Sequence, residues 1–260
     1  MTDTISRDEE VTIIRNIPFT TDAGIASRAA IGVIVLASDE TIEHEWRRLL
    51  SLPGVSFFST RIPNSPTITP QTLKAMEALI TERTESILPG VPLDVVAYGC
   101  TSATVVIGED VVFEKIRAAR PDIACSTPIT AAMTAFRALG AERIGVLTPY
   151  RDDINTQFGA YLTSRGFDVS VFGSFNEEDD RVVARIDARS IKSAIKRLTD
   201  SAEVDAVFIS CTGIRIADAI ADIEKSVRLP VTSSNHAMAW HCLRLAGVED
   251  KRPEFGSLFE

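Results

Sequence analysis

The chain reads as an α/β protein made of two similar parallel-sheet half-domains related by a pseudo-twofold axis. Three observations predict this. Short apolar runs alternate with longer amphipathic stretches along most of the length, the pattern of parallel strands joined by helices. Two segments match closely: Leu93-Asp94-Val95-Val96-Ala97-Tyr98-Gly99-Cys100-Thr101 and Val204-Asp205-Ala206-Val207-Phe208-Ile209-Ser210-Cys211-Thr212. A second match joins Ile31-Gly32-Val33 to Ile144-Gly145-Val146; these lie 113 positions apart, and the cysteines 111 apart. Near-equal offsets over two motifs point to an internal repeat. Ser126-Thr127-Pro128 and Ser233-Ser234-Asn235 form a third, looser pair.

The elements follow in order. Residues 1–27 are a polar lead-in, with partial order near 13–19. Strands are predicted at 31–37, 54–59, 93–99 and 123–126, with helices at 41–50, 69–88, 100–119 and 128–140. Thr69-Pro70 supplies a hydroxyl cap and a first-turn proline for one helix, and Pro89-Gly90 stops it. The second half repeats the order, with strands at 143–147, 168–172, 204–210 and 229–232 and helices at 153–165, 188–200, 213–226 and 235–246. The first half-domain is assigned 28–128 plus the returning 234–260, and the second 129–233. The polar tail, 249–260, is expected to dock lightly or fray.

A chain of 260 residues with 45% hydrophobic and 24% charged content has an ordinary globular composition. No apolar run approaches the roughly 18 residues of a membrane span, and residues 1–22 hold no hydrophobic signal region. The expected compartment is the reducing cytoplasm, where four cysteines are thiols. A net charge of −9 and the lack of a basic patch exclude nucleic acid as a partner. The same charge offers no long-range attraction to an anionic substrate, so an anion site must be built locally. With no Gly-rich phosphate loop or dinucleotide fingerprint, no cofactor is expected. No metal is expected either: His236 and His241 are five apart, about 140° around a helix, and share no face.

Chemistry concentrates at the strand ends, where open parallel sheets place their sites. Cys100 and Cys211 each precede a predicted helix, whose N-terminus lowers a thiol pKa and presents free N–H groups to a carboxylate. Thr101, Ser102 and Thr212 add hydroxyl donors. One acid or base on each side of a carbon is what two-base proton transfer requires. Cys125 and Cys242 fit buried spacers, and Glu177-Glu178-Asp179-Asp180-Arg181 a polar loop or lid.

These motifs resemble the aspartate/glutamate racemase superfamily, built from two α/β halves with a cysteine from each. Gly99-Cys100-Thr101-Ser102-Ala103-Thr104, Ser210-Cys211-Thr212-Gly213-Ile214-Arg215, Thr148-Pro149-Tyr150 and Ser233-Ser234-Asn235-His236 are similar to motifs of its maleate cis–trans isomerase and arylmalonate decarboxylase branch. The likeness extends to ectoine-utilisation proteins of the EutA type. It implies catalytic roles for Cys100 and Cys211, substrate contacts at Asp39, Thr101, Ser102, Tyr150, Thr212 and Asn235, and a homodimer. Arg215, one turn past Cys211 on the predicted helix, is placed to clamp a substrate carboxylate bidentately. Two cysteines argue against the decarboxylases, which keep one.

The chain departs from the branch at Asp39, where an asparagine that holds a substrate carboxylate is usual, and in Glu178-Asp179-Asp180. An Asp repels a second carboxylate and suits an ammonium, which favours an amino-acid derivative over maleate. Three readings follow: a cofactor-independent racemase or isomerase acting on a small carboxylate or amino-acid derivative, with maleate isomerisation by a nucleophilic Cys100 as its alternative; a non-catalytic ligand-binding regulator; and a thiol redox protein, for which no Cys-x-x-Cys spacing speaks.

Overall fold

The computed structural model describes residues 14–65, 69–177 and 179–260. The start of the lead-in and Glu178 lie outside the described residues. The first half runs β1 (Ala29–Leu36), α1 (Ile42–Leu49), β2 (Val55–Ile62), α2 (Pro70–Ala75), a 3-10 turn at Met76–Leu79, α3 (Ile80–Glu85), β3 (Val95–Gly99), α4 (Thr101–Ile107), α5 (Glu109–Ala119) and β4 (Ala124–Ser126). After α6 (Pro128–Ala138) come β5 (Arg143–Thr148), α7 (Asp152–Ser164), β6 (Asp168–Ser174), α8 (Asp180–Val183), α9 (Ala188–Ser201), β7 (Ala206–Ile209), α10 (Ile220–Val227), β8 (Val231–Ser233) and α11 (Ser234–Leu245).

The fold is two parallel four-stranded sheets, ordered β2-β1-β3-β4 and β6-β5-β7-β8. Their registers coincide. Ile31 pairs with Val95, and Ile144 with Ala206, so the repeated strands are equivalent. The repeated Asp has one job in both halves. Asp94 accepts the N–H of Ala30 at 2.7 Å, and Asp205 that of Arg143 at 2.8 Å, each pinning the start of the neighbouring strand. The third pair is shifted by one residue. Ser126 sits beside Ala97 and Thr232 beside Phe208, so the equivalent of Thr127 is Ser233; both are helix N-caps.

Each half lends a helix to the other. Ile129, Met133 and Phe136 of α6 share a core with Ile144, Val146 and Phe208 of the second sheet. Ala237, Met238 and Leu243 of α11 pack with Ile31, Val33 and Ala97 of the first. Burial of these apolar faces is the main force joining the halves.

Several expectations are corrected. The helix over 69–88 is two short helices around a 3-10 turn, and that over 100–119 breaks at Gly108, whose φ is 97°. The helix predicted from 213 begins only after Ile216. Ile214 and Ile216 are turned into the core of the second half, a direction that an uninterrupted helix does not give them. The tail does not fray. Phe255, Leu258 and Phe259 are buried, and Glu224 accepts the N–H of Ser257 at 2.9 Å and its hydroxyl at 2.7 Å. Among the described residues no helix is long and apolar enough to cross a membrane.

Candidate active site

Cys100 and Cys211 stand five residues beyond the equivalent partners Val95 and Ala206, so the repeat brings both to strand ends. They line one cavity between the halves. Cys100 is the N-cap of α4 and is 4% exposed, its Sγ 3.8 Å from Ser102 Oγ. Burial pushes its thiol up to about 11, against the opposing pull of the Ala103 N–H and Ser102. The expected helix-lowered thiol is therefore overridden by desolvation. Burial also pushes Cys211 up, the charge of Asp180 adding to it. A thiol shifted in this way is mostly protonated at pH 7 and a strong base once ionised.

Cys211 has a φ of 122°, a conformation L-residues seldom adopt. Holding it costs on the order of 1–3 kcal/mol and requires surroundings that over-determine it. The surroundings do. Ser234 Oγ accepts the Cys211 N–H at 3.0 Å and lies 3.0 Å from Thr101 Oγ1. Thr41 donates to the Gly213 carbonyl at 2.8 Å. Asn235 Nδ2 donates to the Thr212 carbonyl and to Glu45 Oε2, both at 2.8 Å.

The other candidates divide. Ser102, Thr212 and Tyr150 line the cavity. Ser210 donates to the Tyr150 hydroxyl at 3.4 Å, and burial holds that phenol protonated. Thr101 also lines the cavity, while its hydroxyl is turned to Ser234. Asn235 is wholly buried beneath Thr212 and does not line the cavity. Arg215 is exposed and is not brought to the cavity; the spacing that put it one turn past Cys211 presumed a helix that starts later. Asp39 lines the cavity, but its Oδ1 accepts the N–H groups of Thr41 and Ile42 at 2.7 and 2.9 Å, and its carboxylate also bonds Thr212. It caps the start of α1.

Asp180, Asn64 and Ser38 also line the cavity and were not among the candidates. Asp180, read as part of a polar loop, starts α8 and takes a 2.9 Å hydrogen bond from Ser38 Oγ. Asn64 donates to the same Ser38 hydroxyl at 2.9 Å. Ser38 follows β1, where the strand-end rule points to it. Burial raises the pKa of both Asp39 and Asp180. The cavity is lined by Asp39, Glu40 and Asp180 and, among the described residues, by no Lys, Arg or His side chain. No three His, Cys, Asp or Glu side chains cluster as metal ligands among them. All four cysteines are free thiols. His236 bonds Thr232 and the Phe255 carbonyl, both at 2.9 Å, and His241 bonds Ser126 at 2.9 Å; these are roles in packing.

Comparison with known proteins agrees with this geometry. The chain is 30% identical to a maleate isomerase of Nocardia farcinica over 239 residues, 88% of this chain and 94% of that enzyme. It is 33% identical to the arylmalonate decarboxylase of Bordetella bronchiseptica over 138 residues, 52% of this chain and 58% of that enzyme. A solved structure of the Nocardia farcinica maleate cis–trans isomerase, a cysteine-to-serine mutant with a covalently bound succinylcysteine intermediate, superposes with a TM-score of 0.81 at 29% identity, covering 89% of this chain and 98% of that one. Such kinship makes the protein an enzyme, an isomerase or a related catalyst. The arylmalonate decarboxylase family model matches residues 94–259, a span that holds both cysteines, and the chain belongs to that family.

Proposed function

We propose that the protein is a cofactor-independent racemase or isomerase that moves a proton on a small carboxylate or amino-acid derivative, with Cys100 and Cys211 as the two acid–base groups. The observation that carries this is the equivalence of the two thiols: same strand end, same register, opposite halves, one cavity. In the racemising direction one thiolate takes the proton next to the carboxylate. The electron pair passes into the carboxylate, and the other thiol protonates the opposite face. The protonation states of the two sulfurs are then exchanged, ready for the reverse reaction. Ser102, Thr212 and Tyr150 supply hydroxyls for the carboxylate.

The acidic lining favours a substrate with one carboxylate and an amine over a dicarboxylate, since a second carboxylate would face Asp180 without a compensating cation. Maleate isomerisation is the second reading, favoured by the Nocardia relative. In it Cys100 adds to the double bond, rotation follows, and Cys211 handles the proton. A place in ectoine breakdown and a homodimeric assembly belong to this proposal on the strength of the sequence resemblance.

Incubation with small amino and carboxylic acids in heavy water tests it. Deuterium incorporated at the carbon beside a carboxylate, with loss of optical activity, is the expected result. Interconversion of maleate and fumarate selects the second reading. Binding without turnover across the panel overturns both and leaves a regulator.

A further inference from the structure

Glu45 lies on α1, in the first half, and is 3% exposed. Its Oε1 accepts the backbone N–H groups of Ile216 and Ala217, both at 2.6 Å, and its Oε2 accepts Asn235 Nδ2. The same amide nitrogen holds the Thr212 carbonyl. A single carboxylate thus grips the stretch from 212 to 217 at its far end directly and at its near end through Asn235. This stretch follows Cys211 and contains none of the α-helix expected there, so its backbone cannot rely on a helical ladder for its shape. Among the described residues nothing reaches the buried Asn235 Oδ1. Turning the amide over would aim Oδ1 at two acceptors, so the carboxylate also fixes which way Asn235 faces.

We propose that Glu45 is a positioning residue for Cys211: from the opposite half it sets the conformation of the 212–217 segment and thereby the aim of the second thiol. The inference rests on the reading that Cys211 carries a proton in turnover. Glu45 does not line the cavity, so it acts through the segment and not on substrate. A neutral acceptor retains part of this arrangement. In Glu45→Gln one oxygen still receives the Ile216 and Ala217 N–H groups, while the new amide nitrogen opposes Asn235 Nδ2. In Glu45→Ala both grips are lost.

The test is alkylation by iodoacetamide, read by mass spectrometry on peptides that separate Cys100 from Cys211. The wild-type protein and the two variants are compared. Glu45→Ala is expected to change the Cys211 rate at least fivefold and the Cys100 rate less than twofold, with Glu45→Gln between wild type and Glu45→Ala. On a substrate found by deuterium exchange, kcat falls at least tenfold and KM stays within threefold. Equal changes at both cysteines, or no change at Cys211, overturn the proposal. Should Glu45→Ala fail to fold, the same contrast between the cysteines is required of Glu45→Gln and Asn235→Ala. If the wild-type protein exchanges no proton on any compound, the function proposed above fails, and the alkylation contrast still decides whether Glu45 governs Cys211.

Discussion

Ser234 Oγ accepts the backbone N–H of Cys211 at 3.0 Å. The same hydroxyl shares a hydrogen bond with Thr101 Oγ1, so the first residue of α11 ties together the residues that carry and follow the two thiols. Ser234→Ala removes both contacts and leaves the part-buried Cys211 N–H without this partner, which costs on the order of 1 kcal/mol. Misplacing a reacting group costs on the order of tenfold to a hundredfold in rate. The expected outcome is a drop in kcat of that size with a modest loss of stability, measured by steady-state kinetics and urea unfolding.

Cys100→Ser and Cys211→Ser are each expected to abolish racemisation, because a serine hydroxyl is too weak an acid to carry the proton. Each single variant still has one thiol and one face. One-sided deuterium exchange without inversion is therefore the expected residual activity, read by mass spectrometry and chiral chromatography. Full turnover in either variant removes that cysteine from the mechanism.

Much of this was legible in the sequence, and the rest was hidden for identifiable reasons. The paired strands, the shared Asp and the Cys-Thr ends recur in equivalent positions, so the repeat exposed both the sheets and the thiols. Asp39 was placed by likeness to a family motif, and Arg215 by counting along the chain. Asp39 does line the cavity, with its carboxylate also drawn onto the start of α1, while the turn after Cys211 left Arg215 in solvent. Glu45 carried no local signal, and the motif around Ser234 did not reveal its contact, because their partners lie 171 and 23 positions away. The tail read as polar because Phe255, Leu258 and Phe259 sit among charged residues, and Glu224, which anchors it, lies on a different element.

Asp180→Asn is the substitution expected to change substrate ranking. Its carboxylate faces the cavity and takes one hydrogen bond from Ser38, which an amide oxygen also accepts. Removing the charge relieves repulsion of a second carboxylate, worth on the order of 1 kcal/mol or more in a partly dry cleft. The ratio of maleate to amino-acid turnover is expected to rise about tenfold. Asp39→Asn keeps an acceptor for the Thr41 and Ile42 N–H groups and is expected to shift the ratio less. Competition assays with both substrates check this, and an unchanged ratio in Asp180→Asn removes Asp180 from substrate selection.

Stability below neutral pH is expected to reflect a contest between two buried histidines and a set of buried carboxyls that includes Glu45. Burial lowers His236 and His241 to about 4, and raises Glu45 to about 7. Between about pH 4.5 and 6.5 the unfolded chain binds a proton on each histidine that the folded protein refuses, so each makes stability rise with pH. Glu45 has the opposite sign: folded it keeps a proton that the unfolded chain has released, so its contribution falls as pH rises through that window. Each amounts to about 1.4 kcal/mol per pH unit, and Asp39 and Asp180, whose carboxyls burial also raises, act with the sign of Glu45. Glu45→Gln deletes one opposing member and is expected to shift the slope upward by about one proton, about 1.4 kcal/mol per unit. Urea unfolding of both proteins at half-unit steps from pH 4.5 to 6.5 measures the two slopes. Equal slopes would mean that Glu45 ionises near its ordinary value in the folded protein and that its grip on Ile216 and Ala217 is that of a full carboxylate throughout the range.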